Sequence, residues 1–169
     1  SVTGAGIAET SNQMEYDDEV AFFANQKLYQ YARVSTDADR RPWCLTVSFT
    51  HPHDPYVARR KYWDLYEGIA ELDPPVEDLG YANQDPHSRR LIDACDSHKF
   101  DITRETVRRA RQGYFANISY IDDKVGDLLE TLRTTRMLDN TIVLFTSDHG
   151  DMLGERGLWF KMSFFEGSA

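Results

Sequence analysis

Few cysteines and no long apolar run occur in this sequence, and each absence excludes a class of protein. Its 169 residues include two cysteines, Cys44 and Cys95, which are too few for a disulfide framework. No apolar run approaches the ~20 residues that a membrane-spanning helix needs. The first residues show no basic region followed by an apolar one, so no signal peptide is visible and a cytoplasmic protein is expected.

An excess of positive charge is also absent. Acidic residues outnumber basic ones by 28 to 19, which gives a net charge of −9. Such a chain binds polyanions poorly, so neither nucleic acid nor a membrane surface is an expected partner. Hydrophobic residues make up 41% and aromatic residues 12%, which suffices for the core of one domain.

Two segments have the apolar spacing of an amphipathic helix. The first is predicted to begin near residues 17–19, where three acids suit the positive end of the helix dipole, and to bury Phe23. The second is predicted over 103–136, with Thr103 as its N-cap. Its apolar residues recur every three or four positions, at Val107, Ala110, Tyr114, Ile118, Ile121, Val125, Leu128 and Leu132. Its charged residues are assigned to a solvated face, including Arg104, Arg108, Arg111, Asp122, Lys124 and Arg133.

Two other segments are typical of buried strands. A β-branched and apolar run over 43–50 predicts one strand, with Cys44 as a buried apolar residue, and 141–147 predicts a second. A charged turn is expected over 37–42. Residues 51–100 hold five of the six prolines, which predicts a long insertion with short helices, such as one over 59–66, and a lid-like role. The order strand, helix, strand predicts an α/β fold, a mostly parallel sheet sandwiched by helices, with ligands beyond the carboxyl ends of the strands.

Residues 48–56 follow the first predicted strand and hold His51, His53 and Asp54 among two prolines. Proline restricts the backbone and lowers the entropic cost of ordering such a loop. The loop is therefore a candidate to present an imidazolium or a general acid to an anionic substrate. The alternative is that these side chains cap the strand and hydrogen-bond locally.

Residues 146–155 follow the second predicted strand and include Asp148 and His149. An oxygen donor beside a nitrogen donor suits a divalent cation, although two ligands do not complete a site. Asp151 and Glu155 either join such a metal shell or start a helix. Lys161, which lies among apolar and aromatic neighbours, is a candidate fixed counter-charge for an anion.

Together these segments resemble the sulfatase family of the alkaline phosphatase superfamily. The second segment carries Ser-Asp-His-Gly-Asp and then Leu-Gly-Glu, with Lys161 thirteen residues after Asp148. Pro52-His53-Asp54-Pro55 fits the family too, and residues 15–23 and 48–56 are similar to choline sulfatases in particular. The resemblance implies a sulfatase, which is a sulfuric ester hydrolase that cleaves a small sulfate ester. Choline sulfate is the first candidate substrate.

The resemblance also implies roles for individual residues. Asp148 and His149 would be metal ligands, with His149 standing where many sulfatases have Asn. Lys161 would bind the sulfate and steady the charge near the leaving oxygen. His53 would contact the sulfate or protonate the leaving group, with His51 as the alternative. The implied metal ion is divalent. Calcium is the first candidate, and magnesium and manganese are the alternatives.

Parts of the family pattern are missing from the sequence. Neither Cys44 nor Cys95 has the Pro and Arg of the family's Cys-x-Pro-x-Arg motif, whose Cys becomes the formylglycine nucleophile. No early strand ends in the paired acids that complete the family's metal site. We therefore expect residues 1–169 to be an internal part of one catalytic domain, inactive alone, with 51–100 as an insertion or lid.

Several alternatives stay open at this point. One is a phosphonate or phosphate ester hydrolase of the same superfamily, and another is a truncated domain without catalysis. An α/β interaction domain would leave the four candidate side chains, Asp148, His149, His53 and Lys161, far apart. The resemblance also allows a homo-oligomeric full-length protein.

Overall fold

The computed structural model of the chain describes residues 2–34, 41–69 and 72–169. Most of the charged turn predicted over 37–42 lies outside these ranges. The helices are α1 (Asn12–Arg33), α2 (Arg60–Trp63), α3 (Pro86–Ala94) and α4 (Arg104–Thr134). The strands are β1 (Gly6–Ile7), β2 (Val57–Ala58), β3 (Met152–Leu153) and β4 (Trp159–Phe160). None of the described helices combines the length and the apolar character that crossing a membrane requires.

Helix α4 is the central element, and its prediction is confirmed. It begins after Thr103, whose hydroxyl accepts from Thr106 N at 3.2 Å, as an N-cap does. Ala110, Ile121 and Leu132 of the predicted stripe are buried, whereas Ile118, which was also assigned to it, is exposed. The assignment of Arg111 to the solvated face is wrong, because this residue is only 6% exposed.

Helix α1 begins earlier than the acids at 17–19 predict. Ser11 is its N-cap and accepts from Met14 N at 3.2 Å, so a full turn and more precedes Asp17. Phe23, expected in the core, is exposed, and the side of α1 that is buried is formed by Met14, Asp17, Ala21, Ala24 and Leu28.

Helices α1 and α4 are joined by polar side chains as well as apolar ones. Tyr120 Oη donates to Asp18 Oδ1 at 2.8 Å, and Thr131 Oγ1 donates to Asn25 Oδ1 at 2.5 Å. Lys124 Nζ lies 2.5 Å from Asp18 Oδ1. These links fix the rotation of α1 on α4 and thereby direct Asp17 toward the residues that follow the first predicted strand.

The two long strands predicted over 43–50 and 141–147 are wrong for the described chain, since neither segment joins a hydrogen-bonded ladder there. Burial alternates along 43–50, as in an extended segment packed on one side, and Cys44 falls on the exposed side. Residues 142–145 are exposed, Ile142 to 98%. A strand buried on both faces needs paired neighbours, and the described residues pair none with either segment.

Short elements occupy 51–100, in agreement with the short helices predicted for this segment. β2 pairs in parallel with β1, in the register Gly6↔Val57 and Ile7↔Ala58, which keeps the parallel character expected of the sheet. α2 and the 3₁₀ turn Asp64–Tyr66 occupy the region where a helix over 59–66 was expected. Both β2 and α2 pack on α4, where Ala58 and Tyr62 join Ala116, Tyr120 and Ile121 in a buried cluster.

A second buried cluster carries the parts of the chain that hold the candidate residues. Tyr56 and Ala110 pack there with Leu153 and Trp159, from the two strands β3 and β4. Gly113 of α4 lies beneath Tyr56, because a Cβ at this position would come within 2.3 Å of the Tyr56 carbonyl oxygen. The absence of a side chain at Gly113 thus lets the segment after His53 seat closely on α4.

Candidate functional site

The β3–β4 hairpin brings the second candidate segment together with Lys161. The strands pair antiparallel, with Met152 opposite Phe160 and Leu153 opposite Trp159. The residues just before β3 and just after β4 therefore lie at the same end of the hairpin. Lys161 Nζ accordingly lies 3.1 Å from His149 Nε2, although the two residues are twelve positions apart.

His149 has a defined tautomer in this arrangement. Its Nδ1 lies 2.7 Å from the carbonyl oxygen of Gly150, which can only accept, so Nδ1 carries the hydrogen. Nε2 then offers its lone pair, which accepts a hydrogen from the Lys161 ammonium. Metal-binding histidines in proteins commonly donate their second ring nitrogen to a carbonyl in the same way.

Asp148 lies near Nε2 of the same imidazole, as Lys161 does. Its Oδ2 is 3.4 Å from His149 Nε2, and its Oδ1 accepts from the backbone N–H of His149 at 3.1 Å. One carboxylate oxygen and one imidazole nitrogen thus converge, as two ligands of a divalent cation do. Among the described residues no group of three or more His, Cys, Asp or Glu side chains forms a metal cage. Asp148 and His149 therefore fit as part of a metal site that needs further ligands.

The backbone before Lys161 is unusual for a large residue. Phe160 has φ of 69°, in the left-handed region that favours glycine and is disfavoured for an aromatic side chain. The change of direction at Phe160 immediately precedes Lys161. Such conformations persist only where the surrounding structure enforces them, and Phe160 pairs with Met152 at the end of the hairpin.

Asp151 connects the two candidate segments. Tyr56 Oη donates to Asp151 Oδ2 at 2.9 Å. Burial raises the pKa of Asp151 and the nearby Asp54 carboxylate adds to that rise, while the Tyr56 hydrogen bond and the neighbouring imidazoles of His53 and His149 act in the opposite direction. Asp151 therefore lies within electrostatic range of a histidine from each segment.

His53 is the accessible histidine of the first segment. Its Nδ1 lies 2.8 Å from the Asp54 carbonyl oxygen, so Nδ1 carries the hydrogen and Nε2 is the nitrogen able to accept. The side chain is 50% exposed. An exposed imidazole whose orientation is held by a local hydrogen bond can contact an anionic ligand.

His51 occupies a different environment, in the interior. Its Nδ1 lies 2.6 Å from Asp17 Oδ2, and both side chains are fully buried. Its ring also meets Tyr120 edge-on, with the ring centroids 5.2 Å apart. His51 thus ties the loop to α1, while His53, two residues later, faces outward.

Glu155 lies against α4 in the structure. Its Oε1 accepts from Arg111 Nη1 at 2.5 Å, and its Oε2 accepts from Leu153 N at 2.6 Å. Arg111 Nη1 also donates to the Leu153 carbonyl at 3.2 Å. Glu155 therefore anchors the turn between β3 and β4 to α4, and it lies in a 3₁₀ turn (Glu155–Gly157), outside any α-helix.

Three residues with a part in this arrangement were not singled out by the sequence reasoning for the site. They are Asp17, Tyr56 and Arg111. Arg111 alone has a signal in the sequence, because it lies four residues after Val107 and three before Tyr114, inside the apolar stripe. The partners of Asp17 and Tyr56 are 34 and 95 residues away, beyond the reach of local spacing.

The fold is that of the hydrolases of the alkaline phosphatase superfamily, as comparison with solved structures shows. The phosphonate monoester hydrolase of Agrobacterium radiobacter superposes with a TM-score of 0.69 at 25% identity, over 90% of this chain and 32% of that one. The expected α/β class is thereby confirmed. The Sulfatase family model matches residues 5–166, and the chain belongs to the sulfatase family.

Two relatives show which members of the sulfatase family the chain is similar to. The choline-sulfatase of Rhizobium meliloti (strain 1021) is 70% identical over all 169 residues, which cover 33% of that protein. The human iduronate 2-sulfatase is 37% identical over 151 residues, 83% of this chain and 27% of that protein. The chain thus spans about a third of the length of the curated relatives it matches.

Proposed function

We propose that the intact protein is a sulfuric ester hydrolase whose substrate is a small sulfate ester, choline sulfate before others. The observation that carries this proposal is the convergence of Lys161, His149 and Asp148 at one end of the β3–β4 hairpin. A fixed ammonium beside a pair of metal-ligand types suits the tetrahedral, negatively charged sulfate group of such an ester. The 70% identity to a choline-sulfatase supports the choice of substrate.

Asp148 and His149 would hold the divalent cation, with calcium as the proposed ion and further ligands from outside the described residues. When bound, the cation supplies Lewis acidity at a sulfate oxygen. Lys161 would bind another sulfate oxygen and stabilise the negative charge that develops as the S–O bond breaks. In this role its ammonium would leave the His149 lone pair and turn to the sulfate.

His53 would contact the sulfate or, as an imidazolium with a second hydrogen on Nε2, protonate the leaving oxygen. Its exposed side chain and its Nδ1 hydrogen bond to the Asp54 carbonyl support this choice over His51, whose side chain is buried on Asp17. A general acid must reach the leaving oxygen within hydrogen-bond distance, and a buried imidazole cannot do so without moving the loop.

We further propose that residues 1–169 are an internal part of one catalytic domain and that the formylglycine nucleophile lies outside them. Two observations support this. The apolar residues of 142–145 are exposed, as expected of a segment that another part of the domain covers. The chain also covers only 33% of the choline-sulfatase to which it is 70% identical.

A phosphonate monoester hydrolase is the second candidate function. The TM-score of 0.69 to such an enzyme favours it, because a phosphonate monoester offers similar oxygens to the same cations. The two candidates differ in the preferred central atom. Relative kcat/KM values for choline sulfate, an aryl sulfate and a phosphonate monoester on the intact protein would separate them.

Replacing Lys161 with alanine tests the proposed site directly. We expect kcat for sulfate-ester hydrolysis by the intact protein to fall by about 10²- to 10³-fold, because a fixed charge at the leaving oxygen is lost. Lys99→Ala is the matched control, since Lys99 pairs with Asp96 on the surface and lies outside the site. The control should keep kcat within about twofold, as surface substitutions usually do. Equal activity of Lys161→Ala and wild type would reject the assigned role.

A further inference from the structure

A long-range hydrogen bond joins the two segments that carry the candidate site. Tyr56 Oη donates to Asp151 Oδ2, at 2.9 Å and across 95 residues of sequence. Tyr56 follows His53 by three residues, and Asp151 follows His149 by two. We propose that Tyr56 and Asp151 are positioning residues, which hold His53 at a fixed distance from the pair formed by Asp148 and His149.

Tyr56 is a core residue whose position is fixed by its packing. Its side chain is 0% exposed and packs against Tyr114 and Trp159, with ring centroids 6.1 and 6.3 Å away. Its carbonyl oxygen accepts from Gly6 N at 3.2 Å and lies over Gly113, where a Cβ would come within 2.3 Å. Because the ring and the backbone are both held, the hydroxyl group is a fixed point rather than the tip of a mobile loop.

Asp151 links the Tyr56 hydroxyl to the hairpin. It immediately precedes Met152, which pairs with Phe160, and Phe160 is followed by Lys161. A displacement of Asp151 would therefore move the residues on both sides of the hairpin end, including His149 and Lys161. The turn at the other end is already fixed to α4 by Arg111 and Glu155, and the Tyr56 hydroxyl attaches the end of the hairpin that carries the candidate site.

This inference rests on the proposed function, because the positioned groups are those that would bind the metal and the sulfate. Groups that act on one sulfate must agree in position, and a misplacement of about 1 Å can lower a rate by roughly 100-fold. Binding is less sensitive to alignment, since each cation still attracts the anion from a shifted position. A positioning link should therefore affect kcat more than KM.

The test compares two tyrosine-to-phenylalanine variants of the intact protein, with choline sulfate as the probe. Tyr56→Phe removes the hydroxyl that donates to Asp151. Tyr62→Phe is the matched control, because Tyr62 is also buried and donates to an aspartate, Asp123, at 2.7 Å, but away from the site. We expect both variants to lower the melting temperature similarly. Only Tyr56→Phe should lower kcat, by roughly 10- to 100-fold, with KM changed less than about threefold.

Substitution of the acceptor provides a second test that does not alter the core tyrosine. Asp151→Asn keeps an oxygen that can accept from Tyr56 and should retain most of the activity, whereas Asp151→Ala should resemble Tyr56→Phe. The double variant Tyr56→Phe/Asp151→Ala should be no slower than either single variant, because both remove the same link.

Two different failures can be told apart in this experiment. If wild type hydrolyses sulfate esters and Tyr56→Phe matches Tyr62→Phe in kcat, the positioning role is overturned and the proposed function stands. If wild type hydrolyses no sulfate ester, the proposed function is overturned, and the positioning role with it.

Discussion

Replacing Asp17 with alanine is expected to lower the free energy of unfolding by at least about 3 kcal/mol. The fully buried Asp17 carboxylate accepts four hydrogen bonds from two residues, from Thr50 N at 2.8 Å, Thr50 Oγ1 at 3.0 Å, His51 N at 3.0 Å and His51 Nδ1 at 2.6 Å. Its loss leaves two buried donors, the backbone N–H and Nδ1 of His51, without an acceptor, and each costs about 1–3 kcal/mol. Chemical denaturation of the intact protein measures the change.

Asp123→Ala is a suitable control for this substitution. Asp123 also accepts hydrogen bonds from two residues, Lys61 and Tyr62, but its side chain is half-exposed. Water can replace the lost acceptor there, so we expect a loss of at most about 1 kcal/mol. Similar losses for the two variants would show that Asp17 does not anchor the loop.

The same carboxylate gives a pH dependence of stability. Burial alone would raise the pKa of Asp17, but hydrogen bonds from His51 and from the backbone of Thr50 and His51 outweigh it, so the pKa lies below the ordinary 3.8. The ionised form is thus favoured by folding, and its contribution is complete above pH 3.8 and lost as the pH falls through the lowered pKa. The stability difference between wild type and Asp17→Asn should shrink in that range, and a constant difference would contradict this reasoning.

Replacing Arg111 with methionine is the second substitution with a large expected effect, a loss of about 3–5 kcal/mol. Arg111 is 6% exposed and holds both Glu155 and the Leu153 carbonyl. Without the guanidinium, the Glu155 carboxylate remains largely buried with no counter-charge from α4. The turn between β3 and β4 would then detach from the helix, and sulfate-ester hydrolysis should fall together with the melting temperature.

Arg104→Met is the comparison that isolates burial. Arg104 lies on the same helix and makes two hydrogen bonds with Asp73, but its side chain is 79% exposed. We expect this variant to lose less than about 1 kcal/mol, because exposed ion pairs contribute little. The double variant Arg111→Met/Glu155→Gln should recover part of the loss, since the remaining partner is then neutral. No recovery would argue that Arg111 acts through its packing alone.

Helix α4 and the group around His149 were the parts most accessible to sequence reasoning. The N-cap Thr103 and the apolar stripe are local patterns, and they predict the helix to within about two residues at either end. Asp148, His149 and Lys161 lie close together because a short hairpin joins them, and a short hairpin is again a local feature.

Other features depended on partners that no local pattern reveals. The acids at 17–19 suggested the start of a helix, but the N-cap of α1 is Ser11. Asp17 instead accepts a hydrogen bond from His51, 34 residues away. The choice between His51 and His53 could not be made from the loop itself for the same reason. The apolar run over 141–147 signals a strand, yet pairing also requires a neighbouring strand, which the described residues do not supply.

The attachment of α1 to α4 also has a consequence for synthesis on the ribosome. The hydrogen bonds from Tyr120 to Asp18 and from Thr131 to Asn25 span 102 and 106 residues. At a translation rate of roughly 5–20 residues per second, α4 is synthesised about 5–20 s after α1. During that interval α1 lacks its contacts with α4, so nascent α1 is a segment that chaperones have time to bind.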